Sequence, residues 1–151
     1  MQEKQAEPLL EQDFMVQGGD FIHAGEVSSS IKAILKEIGM SHDIIRRAAI
    51  ATYEAEMNVV CYARRAAFHL AVTPERLTVI AEDEGQGIPD IELAMQEGYS
   101  TSSREIKEMG FGAGLGLPNI KKNTDELRIS SVVGEGTRVE MVILTGNKDR
   151  P

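Results

Sequence analysis

A glycine-rich stretch, Gly110-Phe-Gly-Ala-Gly-Leu-Gly-Leu117, constrains the fold of this chain more than any other feature. Glycine has no Cβ atom, so such a loop can adopt positive φ angles and let its backbone approach a ligand closely. The residues that follow, 118–123, are typical of the first turns of a helix. A loop that leads into a helix N-terminus presents backbone N–H groups to a phosphate. The stretch is therefore a candidate phosphate-binding loop.

Two common phosphate-binding patterns are excluded. The sequence contains no G-x-x-x-x-G-K-[ST] motif, and the third glycine of G-x-G-x-x-G would fall on Leu115 or Leu117. Because glycine-rich turns are often only turns, the function of this loop depends on what the rest of the chain supplies.

Length and composition indicate one globular domain. A chain of 151 residues, 42% hydrophobic and 26% charged, is large enough to bury a core. The net charge of -8 argues against general nucleic-acid binding, which needs a basic face. The single cysteine, Cys61, cannot form an internal disulfide bond, and there is no long apolar run or signal peptide. We therefore expect a cytoplasmic protein without a membrane segment.

The pattern along the chain predicts an α+β fold, a two-layer α/β sandwich whose mixed, mostly antiparallel sheet carries helices on one face. A single domain of residues 13–145 is expected between tails at 1–12 and 146–151. Ser41 is the expected N-cap of the second helix. The predicted strands are 14–16, 67–72, 77–81, 127–133 and 137–144, and the predicted helices are 25–39, 41–62, 90–97 and a segment from the glycine stretch to about residue 126.

Glu54 and Asn58 are the first candidates for chemistry. They are four residues apart on a predicted helix and so share a face, whereas Glu56 points to nearly the opposite side. A carboxylate beside a side-chain amide can hold an attacking hydroxyl group together with a hard cation, since magnesium takes oxygen ligands. For an isolated E-x-x-x-N pattern, an ordinary solvated helix face is the favoured interpretation.

A second candidate is Asp83-x-Gly85-x-Gly87, at the end of a predicted strand. A carboxylate on the floor of a pocket can accept a hydrogen bond from the exocyclic amine of adenine, but it would repel the carbonyl group of guanine. Gly87 would let the backbone approach the base, and Thr137 could offer a hydroxyl group to the same edge. Taken singly, residues 83–87 and residues 134–137 are also ordinary turns.

Together, in order and spacing, these patterns resemble the Bergerat-fold ATP-binding domain, the superfamily of gyrase, heat-shock chaperone, histidine-kinase and mismatch-repair ATPases. The resemblance covers about residues 12–145. Within the superfamily, the runs at 80–90 (IAEDEGQGIPD) and 98–102 (GYSTS) are similar to the anti-sigma factor and switch-protein serine kinases of bacterial partner-switching modules. The matching motifs are Glu54-x-x-x-Asn58, Asp83-x-Gly85-x-Gly87, the glycine stretch and Gly136-Thr137.

The resemblance implies a role for the helix residues and for the region between the motifs. Glu54 would be the general base, and Asn58 would ligate a magnesium ion that bridges the phosphates of ATP. Residues 98–109 would form the ATP lid, although no motif fixes Arg104 or Lys107 there, and surface charges are the better interpretation of both.

The resemblance also implies the residues that hold the nucleotide. Asp83 would recognise adenine, with Gly85, Gly87 and Thr137 beside it. The glycine stretch would shape the loop over the phosphates. Its predicted nucleotide-binding residues are Gly110, Gly112, Gly114, Leu115 and Gly116.

The implied function is that of a serine/threonine kinase that transfers the γ-phosphate of MgATP to a hydroxyl group on a protein partner. The expected partners are an antagonist domain and, second, a sigma factor. Two alternatives stay open: an ATP sensor that regulates a partner without transferring phosphate, and a stand-alone histidine-kinase catalytic domain that acts on another chain. Related proteins often form homodimers, although no surface in this sequence indicates one.

Overall fold

A single five-stranded sheet organises the computed structural model, which describes residues 8–96 and 116–146. The strand order is β1-β2-β3-β5-β4, and all four pairings are antiparallel. In chain order the elements are β1 (Leu10–Gln17), α1 (Glu26–Glu37), α2 (His42–Tyr62), β2 (Ala63–Val72), β3 (Arg76–Gly85), α3 (Ile91–Ala94), α4 (Gly116–Lys122), β4 (Glu126–Val132) and β5 (Gly136–Leu144).

The core lies between one face of the sheet and the long helix α2, which also contacts α1 and α4. Alternate strand residues point to this face because the side-chain period of a strand is two. Its largest fully buried side chains include Phe68, Leu70, Leu77 and Met141 from the sheet. The predicted α+β sandwich with helices on one face is therefore confirmed, although the sheet of the described residues is antiparallel throughout and not mixed.

Among the described residues, the opposite face of the sheet carries ionic pairs. The Arg138 guanidinium lies 3.1 Å from Glu82 and 3.1 Å from Glu140, and Arg128 lies 3.3 Å from the other oxygen of Glu140. Arg65 pairs with Glu84 on the neighbouring strands. Charged residues on this face alternate along β2 and β3 with apolar residues on the core face. Both strands therefore extend beyond the apolar segments that were predicted for them.

The first strand also differs from its prediction of residues 14–16. β1 pairs with β2 from Leu10 opposite Val72 to Gln17 opposite Arg65, so residues 10–12, expected in the tail, belong to the sheet. The segment looked like a tail because it is polar and acidic. Its charged side chains face solvent on the open side of the sheet, where polarity is compatible with a strand.

Local signals at the helix ends are largely confirmed. Ser41 caps α2, its Oγ accepting a hydrogen bond from the Ile44 N–H at 3.3 Å. Asp90 caps the short helix α3 in the same way through the Leu93 N–H at 3.0 Å. α4 ends at Lys122, about four residues before its predicted end, because β4 already begins at Glu126. In the two described ranges, no helix is both long and apolar enough to cross a membrane.

Candidate nucleotide-binding site

Glu54, Asn58 and Gly116 meet where α2 faces the first residue of α4. A Cβ atom built on Gly116 would lie 3.1 Å from Asn58 Oδ1 and 3.4 Å from Glu54 Oε2. A glycine thus lets the start of α4 approach both polar groups, which a larger residue would crowd. The structure places these three predicted site residues side by side.

The Glu54 carboxyl group is half-buried, and its environment changes its acidity. Burial is the larger effect and raises the pKa of Glu54, because a carboxylate loses solvation. A hydrogen bond from the Asn119 side chain opposes this effect and lowers the pKa. A raised pKa brings a carboxylate closer to the range in which a general base works well at neutral pH.

Asn119 is a site residue that the motifs did not predict. It follows Gly116 by three residues and therefore lies on the same face of α4. Its amide contacts the carboxylate that the resemblance assigns as the base. The helical spacing from Gly116 was the available signal, but it gains meaning only once α4 is known to pack against α2.

Glu56, two residues after Glu54, serves a different purpose. Its carboxylate is 1% exposed and accepts hydrogen bonds from the N–H groups of Gly25 at 2.9 Å, Val27 at 3.1 Å and Ser28 at 3.0 Å. The N-cap of α1, Gly25, has no side chain for this task. Glu56 therefore caps α1 from the neighbouring helix. It can do so because it faces away from Glu54 on α2, as the helical spacing predicts.

Asp83 lies near the end of β3, with Gly85 and Gly136 close to it in space. Its Oδ1 atom accepts a hydrogen bond from the Thr137 N–H at 3.0 Å. A Cβ atom on Gly136 would lie 2.0 Å from the Asp83 carbonyl oxygen, and one on Gly85 would lie 3.1 Å from Oδ1. Position 136 therefore requires glycine, whereas a side chain at position 85 would be tight against Asp83. Burial raises the pKa of Asp83, and the bond from Thr137 opposes that effect.

Gly87 and Thr137 meet the hairpin that joins β4 and β5. Gly87 has a φ angle of 80°, and a Cβ atom there would lie 2.6 Å from the Val132 carbonyl oxygen. The Thr137 hydroxyl group lies 2.8 Å from Ser131 Oγ, a partner that the motifs did not predict. The structure thus gathers Asp83, Gly85, Gly87 and Thr137 at one corner of the sheet.

This corner is on the same end of the molecule as Asn58. β2 follows α2 without an intervening loop, and Ala63 at its start pairs with Gly85 at the end of β3. Asn58 precedes Ala63 by five residues, about 7.5 Å along a helix axis. The remaining predicted residues Gly110, Gly112, Gly114 and Leu115, and the lid at 98–109, lie outside the described residues.

An antiparallel sheet covered by α2, with a half-buried carboxylate and amide on that helix and an aspartate between glycines at the sheet corner, defines the class as an ATP-binding domain of the histidine-kinase type. The family model described as "Histidine kinase-like ATPase domain" matches residues 20–143, and the chain belongs to this family.

Curated relatives narrow the comparison. The chain is 35% identical over 113 residues to the serine/threonine-protein kinase RsbT of Bacillus subtilis (strain 168), a match that covers 72% of this chain and 79% of RsbT. It is 36% identical over 76 residues to the anti-sigma F factor of Thermoanaerobacter sp. (strain X514), covering 50% of each protein. The predicted resemblance is confirmed: the chain is an ATP-binding regulatory protein of the kinase-like type.

A solved structure shares the fold. The RsbU and RsbW domains of Rv1364c from Mycobacterium tuberculosis match with a TM-score of 0.55 at 19% identity, covering 88% of this chain and 32% of that chain. The chain therefore spans about half the length of the anti-sigma F factors and a third of the solved chain, but most of RsbT.

Proposed function

We propose that this protein is a serine/threonine kinase that transfers the γ-phosphate of MgATP to a hydroxyl group on a protein partner. The observation that carries the proposal is the placement of Glu54, half-buried beside Asn58 and Gly116 with Asn119 as hydrogen-bond donor. The similarity to a serine/threonine-protein kinase over most of its length supports this class of activity.

In the proposed reaction, the hydroxyl oxygen of the partner attacks the γ-phosphorus and ADP leaves. Glu54 accepts the hydroxyl proton. The new phosphoester bond forms as the bond between the γ-phosphorus and the oxygen that bridges it to the β-phosphate breaks. Catalysis of this kind depends mainly on positioning and charge neutralisation. Asn119 would hold the Glu54 carboxylate in place, and burial would keep it basic enough to take the proton.

The nucleotide would be held by the two groups of residues described above. Asp83 would accept a hydrogen bond from the adenine amine, with Gly85 and Gly87 leaving room for the base. Asn58 offers a side-chain oxygen of the kind that magnesium takes. When bound, magnesium would neutralise part of the phosphate charge.

The partners are proposed from the names of the relatives. An antagonist domain would be the phosphate acceptor, and a sigma factor would be a second partner, since several relatives are anti-sigma F factors. A homodimer and a cytoplasmic location stay predictions.

Calorimetric titration with ATP and with GTP, each with and without magnesium, tests the nucleotide site. We expect magnesium-dependent binding of ATP and rejection of GTP. Binding of neither nucleotide would contradict every assigned role.

Incubation of captured partners with labelled ATP tests the activity. An acid-stable phosphoserine or phosphothreonine on a partner is expected. An acid-labile label would indicate transfer to histidine instead, and nucleotide binding without any transfer to partners that form a complex would indicate an ATP sensor.

A further inference from the structure

The hydroxyl group of Ser131 joins three segments at the corner of the sheet that holds Asp83. Its Oγ atom accepts a hydrogen bond from the Ile88 N–H at 2.7 Å and donates one to the Gly136 carbonyl oxygen at 3.1 Å. It also lies 2.8 Å from the hydroxyl oxygen of Thr137. Ser131 is half-buried, whereas its neighbour Ser130 is exposed.

The number of protons in this cluster determines the direction of the last bond. A serine hydroxyl group has one proton to donate and two lone pairs to accept with. The Gly136 carbonyl oxygen can only accept, so all three contacts of Ser131 Oγ are satisfied together when its proton goes to Gly136 and Thr137 donates to Ser131. The Thr137 hydroxyl group then keeps only lone pairs for any other contact.

Thr137 and Asp83 therefore offer the same kind of group. The Thr137 backbone N–H is already given to Asp83 Oδ1 at 3.0 Å, and its hydroxyl proton is given to Ser131. An ionised carboxylate is also an acceptor only. Both side chains thus favour a hydrogen-bond donor on a bound base.

We propose that Ser131 is a positioning residue that helps the site to select a purine with a 6-amino group over one with a 6-oxo group, by orienting the hydroxyl proton of Thr137. The inference rests on the proposed function, in which the base binds beside Asp83. A 6-amino group donates to the two acceptors, whereas a 6-oxo group would face them with lone pairs and leave polar groups unpaired.

Removing the Ser131 hydroxyl group would free the proton of Thr137. In the Ser131→Ala variant, the Thr137 hydroxyl group can rotate and donate to a 6-oxo group. The preference for a 6-amino over a 6-oxo purine should then become weaker. It should not disappear, because Asp83 still favours the 6-amino group.

ATP and inosine triphosphate are suitable probes because their bases differ at position 6 and, as a consequence, at the adjacent N1 atom, which accepts a hydrogen bond in adenine and donates one in hypoxanthine. We expect the ratio of their dissociation constants to narrow about threefold to tenfold in Ser131→Ala, the value of one ordinary hydrogen bond. The matched control Ser130→Ala removes an exposed hydroxyl group from the same strand and should keep the wild-type ratio. An unchanged ratio in Ser131→Ala, or an equal loss for both nucleotides, would overturn the inference.

A second background tests whether Ser131 acts through Thr137. In Thr137→Val, which has no hydroxyl proton to orient, adding Ser131→Ala should leave the ratio unchanged. A further narrowing in the double variant would overturn the inference. If Ser131→Ala does not fold, Ser131→Cys keeps a weaker donor and acceptor and should narrow the ratio less; a full wild-type ratio would count against the inference.

The outcomes separate the two proposals. A wild-type protein that binds neither nucleotide would overturn both. A wild-type protein that prefers ATP, together with an unchanged ratio in the folded Ser131→Ala variant, would overturn only the role of Ser131.

Discussion

Glu54 and Glu56 are the same residue type, two positions apart on one helix, yet they are built for opposite purposes. Glu56 is fully buried and receives three backbone hydrogen bonds from the start of α1. Glu54 is half-buried, has a raised pKa, and is held by the side chain of Asn119 beside Gly116. One carboxylate fixes a helix, and the other is left with capacity for a ligand.

The difference lies in what surrounds each carboxylate. Backbone N–H groups at a helix N-terminus favour negative charge and compensate for the loss of water. On the other side of α2, burial is only partly compensated, which costs stability and keeps the group reactive. Partly compensated burial of this kind is common where stability is given up for function.

The largest expected effect is on activity, in Glu54→Gln. An amide cannot accept the hydroxyl proton, so phosphate transfer should fall about 100-fold to 10,000-fold while ATP affinity is kept. Transfer of labelled phosphate to a captured partner and calorimetry measure the two quantities. Glu37→Gln, an exposed change on α1, is the matched control. Transfer at the wild-type rate in Glu54→Gln would show that the assigned base is wrong.

The next effect is on stability, in Glu56→Ala. The substitution leaves the N–H groups of Gly25, Val27 and Ser28 without their acceptor, so the free energy of unfolding should fall by about 3 kcal/mol. Urea denaturation measures it. The control Glu37→Ala, which removes an exposed carboxylate, should change it by less than about 0.5 kcal/mol. Equal stability of the two variants would mean that Glu56 does not hold α1.

The sequence could predict what depends on periodicity and local signals. The helical spacing of Glu54 and Asn58, the Ser41 cap and the β4–β5 hairpin are of this kind, and so is the separation of Glu54 from Glu56. The structure places Gly116 against Glu54 and Asn58. Nucleotide binding by these residues stays a prediction.

The remaining features depend on packing between distant segments. Glu56 contacts residues 28 to 31 positions away, and Asp83 contacts a residue 54 positions away. Asn119 and Ser131 gain their partners only when α4 meets α2 and when the hairpin meets the end of β3. No repeat or capping pattern in the sequence marks such contacts, because each residue type is ordinary in its own element.

A smaller effect should follow from Asn119→Ala. In the folded protein the Asn119 amide opposes the effect of burial on the pKa of Glu54, so its removal should raise that pKa further. The acidic limb of the pH profile of phosphate transfer should therefore move to higher pH, with ATP affinity unchanged. Asn123→Ala, which changes an amide that bonds only to the Asn119 carbonyl among the described residues, is the control. A limb that stays in place or moves to lower pH would contradict the role of Asn119.

The smallest expected effect is on stability and depends on the protonation of His69, which lies beside two carboxylates of β1. The two ring nitrogens of His69 lie 2.6 Å from an oxygen of Asp13 and 3.2 Å from an oxygen of Glu11, both on β1. The hydrogen bond to Asp13 is the largest effect on the pKa of His69 and raises it, and the hydrogen bond to Glu11 raises it further. Only a protonated ring donates from both nitrogens. On β3, His69 is paired with the uncharged Ile80.

Because the folded pKa of His69 lies above the ordinary 6.5, its contribution to stability is complete below that pH. It is lost as the pH rises through the raised pKa. His69→Gln should therefore lower the free energy of unfolding at acidic pH by about 0.5 kcal/mol, a small value since solvent screens these exposed groups. Above the raised pKa the variant and the wild type should coincide. A difference for His69→Gln that persists unchanged into alkaline solution would show that packing, and not the charge on the ring, holds β1 at this position.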